Sequence, residues 1–244
     1  MSFLREHFRF TLWPTLFTIP AVLFMLGLGT WQVQRLAWKT VLIDMRSAAL
    51  AAPAVPLPLT LAAAEPLDFR HVEVTGTFDH AKELYIGAFD ARGIEGFQIV
   101  TPMTLADGHT LLVNRGFVPG IRKAPATRPD GQIAGPTQLQ GILRLPNPPK
   151  GWLVPQNRPG DNFWFYVDLP TMAATEGLDE VLPFYVEAGP APNPGGFPIG
   201  GQTRIALPND HLQYAITWYL FALTLTVIYF IYHYRKPEGT GNSP

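Results

Sequence analysis

Two long stretches of the chain contain no charged side chain, and they limit the possible folds more than any other feature. They run from Phe10 to Gln34 and from His211 to Tyr234, which is 25 and 24 positions without Asp, Glu, Lys or Arg. A helix of roughly 20 apolar residues crosses the hydrocarbon core of a bilayer. Buried core helices of a soluble protein are the alternative, but they are usually shorter and have a polar face. The sequence therefore predicts two membrane spans.

The first span is expected to be an uncleaved anchor. A signal peptide has a shorter apolar core that ends at a small-residue cleavage site, whereas Trp31, Gln32 and Arg35 follow this one. Residues 30–50 contain no proline and have apolar side chains at helical spacing. We therefore expect the first helix to continue beyond the membrane.

The charges outside the spans predict the orientation in the membrane. The N-terminal tail carries Arg5 and Arg9, and the C-terminal tail carries Arg235 and Lys236. Basic flanks usually remain in the cytoplasm or matrix. The region between the spans is then periplasmic in a bacterial inner membrane, or intermembrane in a mitochondrion. The predicted organisation is a tail (1–11), a transmembrane helix (12–34), a helical extension (35–52), a periplasmic β-rich domain (53–210), a second transmembrane helix (211–234) and a tail (235–244).

The region between the spans has the patterns of a β-rich domain. With 25 Pro and 22 Gly in 244 residues, the chain has more residues that break helices than a mostly helical protein tolerates. One short helix is predicted at Pro170–Glu176, and Asp107–Gly108 predicts a hairpin turn. Gly116, inside a strand, suggests a bulge, and Arg115 is expected to pair with an internal acid. The predicted strands are His71–Phe78, Glu83–Phe89, Gly96–Leu105, His109–Val118, Leu139–Leu145, Phe163–Val167 and Phe184–Glu187.

These patterns predict a membrane protein with two transmembrane helices that flank a mainly antiparallel β domain with little helix. A sandwich and a partly open barrel both remain compatible with the strand pattern. The absence of cysteine excludes disulfides, thiolate zinc sites, iron–sulfur clusters and a Cys nucleophile. A net charge of −1 gives no general attraction for nucleic acid. No catalytic motif is present, so we do not expect an enzyme.

His211 is the strongest candidate for binding a cofactor. It opens the second span, and ionisable groups at a membrane are usually functional. Neutral imidazole is a common axial ligand of haem iron. The alternative is that Ala215 and Ala222 simply pack against the first span, as small residues do in membranes. At about 100° per residue, one helix face carries the following set: His211, Tyr214, Ala215, Trp218, Ala222, Leu225 and Tyr229.

A second candidate group lies just beyond the first span. Trp31, Arg35 and Trp38 occupy one helical face. Trp and Arg are also common as anchors at the level of lipid headgroups, which explains each residue singly but not their shared face. His233 lies 22 residues after His211, or about 33 Å along a helix, so both cannot bind one iron.

Several blocks along the chain resemble the surfeit locus protein one family of cytochrome c oxidase assembly factors. The resemblance extends from Gly29 to Tyr219, and Phe117 stands where the family usually has Trp. The blocks are Gly29–Gln32 with Arg35, Trp38 and Lys39; Gly76–His80 with Glu83; Thr101–Pro102, Asp107–Gly108 and Leu112–Pro119; Asn162–Phe165 with Asp168; and Asn209–Ala215 with Thr217–Tyr219.

The resemblance implies a non-enzymatic role in delivering haem a to the large oxidase subunit, or in stabilising it there. The histidine that the family is proposed to use for haem corresponds to His211. We expect transient haem a binding, with His211 on the iron, Tyr214 and Trp218 beside the ring, Trp31 completing the pocket and Arg35 facing the propionates. The expected partners are the large oxidase subunit and membrane lipid, with haem a synthase as a further candidate. The alternative is a stable accessory or scaffold subunit of the oxidase that binds no haem.

Overall fold

The structure is a computed structural model, and it describes Phe8, residues 10–203 and residues 207–234. Its contacts divide the chain into two compact units. One combines Met1–Met45 with Ala206–Pro244, and the other is Arg46–Ile205. We call them the helix pair and the β domain.

The helix pair consists of α1 (Leu12–Ala51) and α4 (His211–His233). α1 is continuous through Pro20, although proline removes one backbone hydrogen bond from a helix. The helices run antiparallel: Thr15 bonds to Tyr229 near one end and Gln32 bonds to His211 near the other. We call the end with Thr15 and Tyr229 the tail end, because both tails adjoin it in sequence. We call the end with Gln32 and His211 the domain end, because the β domain adjoins it in sequence.

Both helices are long and apolar enough to cross a membrane. Only 11% of the residues in the most apolar window of each helix are buried, whereas a core helix of a soluble protein would be mostly buried. The prediction of a membrane protein with two spans is therefore confirmed. Arg5, Arg9, Arg235 and Lys236, which carry the prediction of orientation, lie outside the described residues.

In its described residues, the β domain contains seven strands and little helix. The helices are α2 (Leu61–Ala64) and α3 (Leu169–Glu176), and several single 3₁₀ turns join the strands. The strands are β1 (Val55–Pro56), β2 (His71–Phe78), β3 (Leu84–Phe89), β4 (Glu95–Leu105), β5 (Thr110–Pro119), β6 (Pro136–Arg144) and β7 (Val181–Ala188).

The sheet closes on itself to form a partly closed barrel. Its order is β1-β2-β6-β7-β5-β4-β3, and β2 also pairs with β4 through Gly76–Phe78 and Met103–Leu105. Five strands thus form a ring, while β1 and β3 lie beside β2 and β4. The pairings are antiparallel except β1–β2 and β5–β7. The predicted fold class is confirmed, and of its two alternatives the barrel is the one observed.

Two hydrophobic cores lie on opposite faces of this sheet. Successive residues of a strand point to opposite faces, and β5 is buried on both: Leu111 and Val113 join one core, and Leu112 joins the other. The second core is covered by α3 and by Trp164, which is completely buried. β5 is therefore the central strand of the domain.

The predicted strand at Phe163–Val167 is wrong. Only single bridges form here, between Trp164 and Ile86 and between Phe163 and Arg158. The backbone N–H groups of residues 165 and 166 donate to the Asn157 side-chain oxygen. They are therefore not available to pair with a neighbouring strand. The segment inserts the Trp164 ring into the core instead. The short elements β1 and α2 were not predicted.

The predicted bulge in β5 is confirmed. The pairing register shifts where Ile99 and Val100 of β4 face Gly116 and Asn114, which leaves Arg115 as the extra residue. Gly116 has a φ of 114°, which L side chains rarely adopt. A Cβ there would lie 1.9 Å from the Ile199 carbonyl oxygen. The bulge points the Arg115 side chain into the domain interior, and Arg115 is 1% exposed.

Candidate functional site

The two helices meet along a seam of small residues. Ala215 and Ala222 are buried on α4, and Gly29 is the buried residue of α1. A Cβ on Gly29 would lie 2.7 Å from Cε1 of Tyr219, and the Tyr219 hydroxyl lies 3.2 Å from Oγ1 of Thr30. The alanines therefore pack against a helix, and the Tyr219 ring closes one flank of the pair, which we call the closed flank.

His211 lies at the domain end of this seam. Its Nδ1 is 2.7 Å from Oε1 of Gln32 on α1. A carboxamide oxygen only accepts hydrogen bonds, so Nδ1 carries the proton in this arrangement. No hydrogen bond to Nε2 is found within the described residues. Neutral imidazole with a proton on Nδ1 has its lone pair on Nε2, which is the form that binds a metal.

Further contacts fix the backbone just before His211. Lys39 donates its Nζ proton to the Pro208 carbonyl oxygen. Asn209 donates from Nδ2 to Oγ1 of Thr40, over 3.4 Å. Since Gln32, Lys39 and Thr40 all belong to α1, this helix holds the start of α4 at two places about two turns apart.

The flank opposite Tyr219, which we call the second flank, carries three of the other predicted site residues. At about 100° per residue, Tyr214 and Trp218 of α4 and Arg35 of α1 lie on this side, whereas Trp31, about 200° from Gly29, lies on the side of α1 that faces away from α4. The Arg35 guanidinium lies 4.5 Å above the Trp38 ring. Among the described residues, no ring contact or hydrogen bond joins the helices here. The structure therefore brings none of these four residues into contact with His211.

A second histidine, His233, lies at the tail end and has different hydrogen bonds. His233 is 1% exposed, with Nε2 at 2.7 Å from Oγ1 of Thr11 and Nδ1 at 2.8 Å from the Tyr229 carbonyl oxygen. Both ring nitrogens are engaged, so the residue fastens the two helices together. Of these two histidines, only His211 has a ring nitrogen, Nε2, without a hydrogen-bond partner among the described residues.

The β domain contains a buried ionic cluster. Arg128 donates to both carboxylate oxygens of Glu83, and the Glu83 Oε1 atom lies 3.9 Å from Arg115 Nη1 and 3.7 Å from His80 Nδ1. Arg115 Nη2 also donates to the Gly131 carbonyl oxygen over 2.6 Å. The predicted pairing of Arg115 with an internal acid is thus confirmed.

The environment of this cluster shifts two pKa values. Burial by itself raises the pKa of Glu83, but His80, 3.7 Å away, and the hydrogen bonds and charge of Arg128 outweigh it and lower that pKa from 4.5 to about 2. Burial lowers the pKa of Arg115 to about 10, although Glu83 opposes the shift. Glu83 and Arg115 are therefore charged at neutral pH, and the cluster links β5 to the loops around it.

The cluster also extends to Trp164. Asn162 donates from Nδ2 to the Glu83 carbonyl oxygen over 2.8 Å, and Trp164 donates from Nε1 to Oδ1 of Asn162 over 3.0 Å. The sequence blocks that contain Glu83, Arg115 and Asn162 therefore meet at one buried ionic cluster. No group of three metal-ligating side chains occurs within the described ranges.

Sequence reasoning missed two partners. Gln32 follows Trp31 directly and stands in a recognised block, but only the antiparallel register of the helices shows that it faces His211. Arg128 lies in a proline-rich segment with no periodicity, and the fold alone brings it to Glu83, 45 residues earlier. For Gln32 the available signal was a polar residue within an otherwise apolar span.

The fold and the helix-pair site together define a class: a two-span membrane protein with a partly closed β-barrel domain between its spans and a histidine poised at the end of the helix pair. Residues 19–223 match the family model described as "SURF1 family". The chain belongs to the SURF1 family. This family is known as one of cytochrome c oxidase assembly factors, which agrees with the prediction that the chain is not an enzyme.

Individual relatives match over most of the chain. "Surfeit locus protein 1" of Rattus norvegicus is 43% identical over 251 residues, covering 96% of this chain and 79% of the rat protein. The Homo sapiens protein of the same name is 41% identical, covering 96% and 81%. "SURF1-like protein" of Monosiga brevicollis is 39% identical over 229 residues, covering 88% and 85%.

Proposed function

We propose that this chain assists the assembly of a haem–copper cytochrome c oxidase by binding haem a transiently and presenting it to the large oxidase subunit. The observation that carries the proposal is the hydrogen bond between His211 Nδ1 and Gln32 Oε1. It leaves Nε2 as the lone-pair nitrogen at one end of a membrane helix pair. Family membership supports the connection with the oxidase.

The residues at the domain end fit the chemistry of haem a. The macrocycle is flat and apolar and carries anionic propionates, and bound iron would supply the redox centre that the oxidase needs. His211 supplies an imidazole nitrogen. Tyr214 and Trp218 supply aromatic surface on the second flank, Trp31 supplies a further exposed ring on α1, and Arg35 supplies donors for charge-assisted hydrogen bonds.

The seam itself is not the binding surface. Ala215 and Ala222 are each 2% exposed, since they face the other helix, so a flat ring cannot lie on them. The sequence left open whether these alanines admit a macrocycle or a helix, and the helix occupies them. In our proposal, haem approaches His211 from the second flank. One histidine and a half-exposed aromatic surface suit a carrier that has to release its cargo.

The location is part of the same proposal. Basic residues in both tails favour a cytoplasmic or matrix position for the tails. The β domain then lies on the opposite side, in the periplasm of a bacterial inner membrane or in a mitochondrial intermembrane space. The large oxidase subunit is the receiving partner, and haem a synthase is a candidate donor.

Optical titration with haem a tests the ligand assignment. Purified wild-type chain should bind haem a with the spectrum of an imidazole complex, and His211→Ala should lose that spectrum and bind more weakly. His109→Ala is the matched control, because His109 lies in a hairpin of the β domain beside Asp107. Unchanged affinity and spectrum in His211→Ala would refute the role of His211.

A stable accessory subunit without haem is the second candidate function. The closed seam favours it, because the contacts of α4 with α1 already use the small residues of that helix. This hypothesis predicts stoichiometric amounts of the chain in mature, active oxidase and no haem in the isolated protein. The assembly-factor hypothesis predicts that the mature enzyme lacks the chain.

A further inference from the structure

The loop that follows β6 carries unusually exposed apolar side chains. Trp152 is 91% exposed, the highest value for a large apolar residue in the described part of the chain, and Leu153 is 75% exposed. Burying either side chain would be favourable, because both are large and apolar. Folding of the β domain leaves this apolar area in water.

The local backbone holds both side chains at the tip of a turn. The Val154 N–H donates to the Gly151 carbonyl oxygen over 3.4 Å, so Trp152 and Leu153 are the two corner residues. Corner positions usually take Gly, Pro, Asn, Asp or Ser. A large aromatic and a large aliphatic residue at these positions do not stabilise the turn. Their placement there suggests a contact with something outside the domain.

The charges of this loop differ from those of the region around it. Lys150 directly precedes the turn and has no acidic neighbour in residues 145–160, whereas Arg158 lies 3.9 Å from Asp161. The whole region 35–210 has 14 basic and 17 acidic residues. The tip therefore combines tryptophan, leucine and positive charge, which is the composition of segments that bind at the surface of an anionic bilayer.

We propose that the Gly151–Val154 turn inserts Trp152 and Leu153 into the headgroup layer of the membrane that holds the two spans. The chain is attached to that bilayer at both ends of the β domain, and such attachment raises the effective concentration of the lipid surface, so that a weak contact suffices. A turn tip of two side chains presents a small convex point, which fits between lipids better than against a flat protein surface. Lys150 adds attraction to anionic headgroups.

The absence of cysteine from the natural chain makes a direct test straightforward. Leu153→Cys, labelled with an environment-sensitive fluorophore, is reconstituted as the full chain into nanodiscs that contain anionic lipid. A nitroxide on the lipid headgroup should quench this probe strongly, and aqueous iodide should reach it poorly. Ile121→Cys is the matched control, since Ile121 is 85% exposed and is followed by two basic residues, and its probe should show the reverse.

Two further measurements separate the alternatives. Adding Trp152→Ser to Leu153→Cys should reduce lipid quenching several-fold, and zwitterionic nanodiscs should reduce it as well. Equal lipid quenching at positions 153 and 121 would overturn the proposal. Protection from iodide that appears only when oxidase is added, without lipid quenching, would overturn it in favour of a protein contact.

Discussion

Removing the Glu83 charge should destabilise the β domain in a way that depends on pH. In Glu83→Gln the buried Arg128 loses its bidentate carboxylate partner while its side chain remains 1% exposed. An unpaired buried charge typically costs about 3–5 kcal/mol. The substitution keeps the size of the side chain, so the effect comes from charge and not from packing.

The pKa of Glu83 gives a second estimate of the same magnitude. It is about 2 in the folded protein and 4.5 for an ordinary glutamate. Each pKa unit corresponds to about 1.4 kcal/mol, so the folded state gains about 3 kcal/mol from the ionised carboxylate. Because the folded pKa is the lower one, this contribution is complete above pH 4.5 and disappears as the pH falls towards 2.

Urea unfolding of the full chain in detergent, followed by circular dichroism, measures this effect. At pH 7 we expect Glu83→Gln to lose about 3 kcal/mol of unfolding free energy, which for a domain of this size lowers Tm by roughly 10 °C. The difference from wild type should shrink as the pH is lowered from 5 towards 3, because wild-type Glu83 then loses its own contribution.

Two controls isolate the cause. Glu73→Gln makes the same chemical change at an exposed position of β2 and should change stability by less than about 0.5 kcal/mol. Adding Arg128→Met to Glu83→Gln removes the unpaired charge and should restore part of the loss. A loss that is absent at pH 7, or that stays constant from pH 7 to pH 3, would refute the reasoning.

Two further predictions concern the helix pair. Gly29→Val should loosen the helices, because a side chain there meets Tyr219 at 2.7 Å; Gly27→Val, which has no neighbour within 4 Å, should not, and distances between spin labels on the two helices would distinguish them. In the haem-free protein, ¹⁵N NMR should show His211 with its proton on Nδ1, and Gln32→Leu should give a mixture of tautomers. A wild-type proton on Nε2 would contradict the positioning role of Gln32.

Local patterns in the sequence were sufficient for much of the β domain. The alternation in His71–Phe78 predicts β2 with the bounds that the structure has, because every second residue faces a core. Gly116 predicts the bulge for a similarly local reason, since few other residues adopt its φ. In Phe163–Val167 the same reasoning fails, because the Asn157 side chain takes the backbone N–H groups that a strand would need.

Features that depend on distant parts of the chain were not predictable. Barrel closure requires Gly76–Phe78 to pair with Met103–Leu105, and no local pattern in one sequence encodes that register. For the candidate site, the apolar spans and His211 are visible in the sequence, whereas the Gln32 contact depends on how two helices align. The sequence therefore identifies the imidazole, and the fold identifies the atom that is left free on it.

The haem a content of the oxidase tests the role of His211 in haem delivery. Oxidase is purified from cells that lack this chain and carry either the wild type or His211→Ala, and haem a is determined per large subunit. Our account predicts that the wild type restores haem a and that His211→Ala, expressed at an equal level in the membrane, does not. Full haem a content with His211→Ala would contradict it.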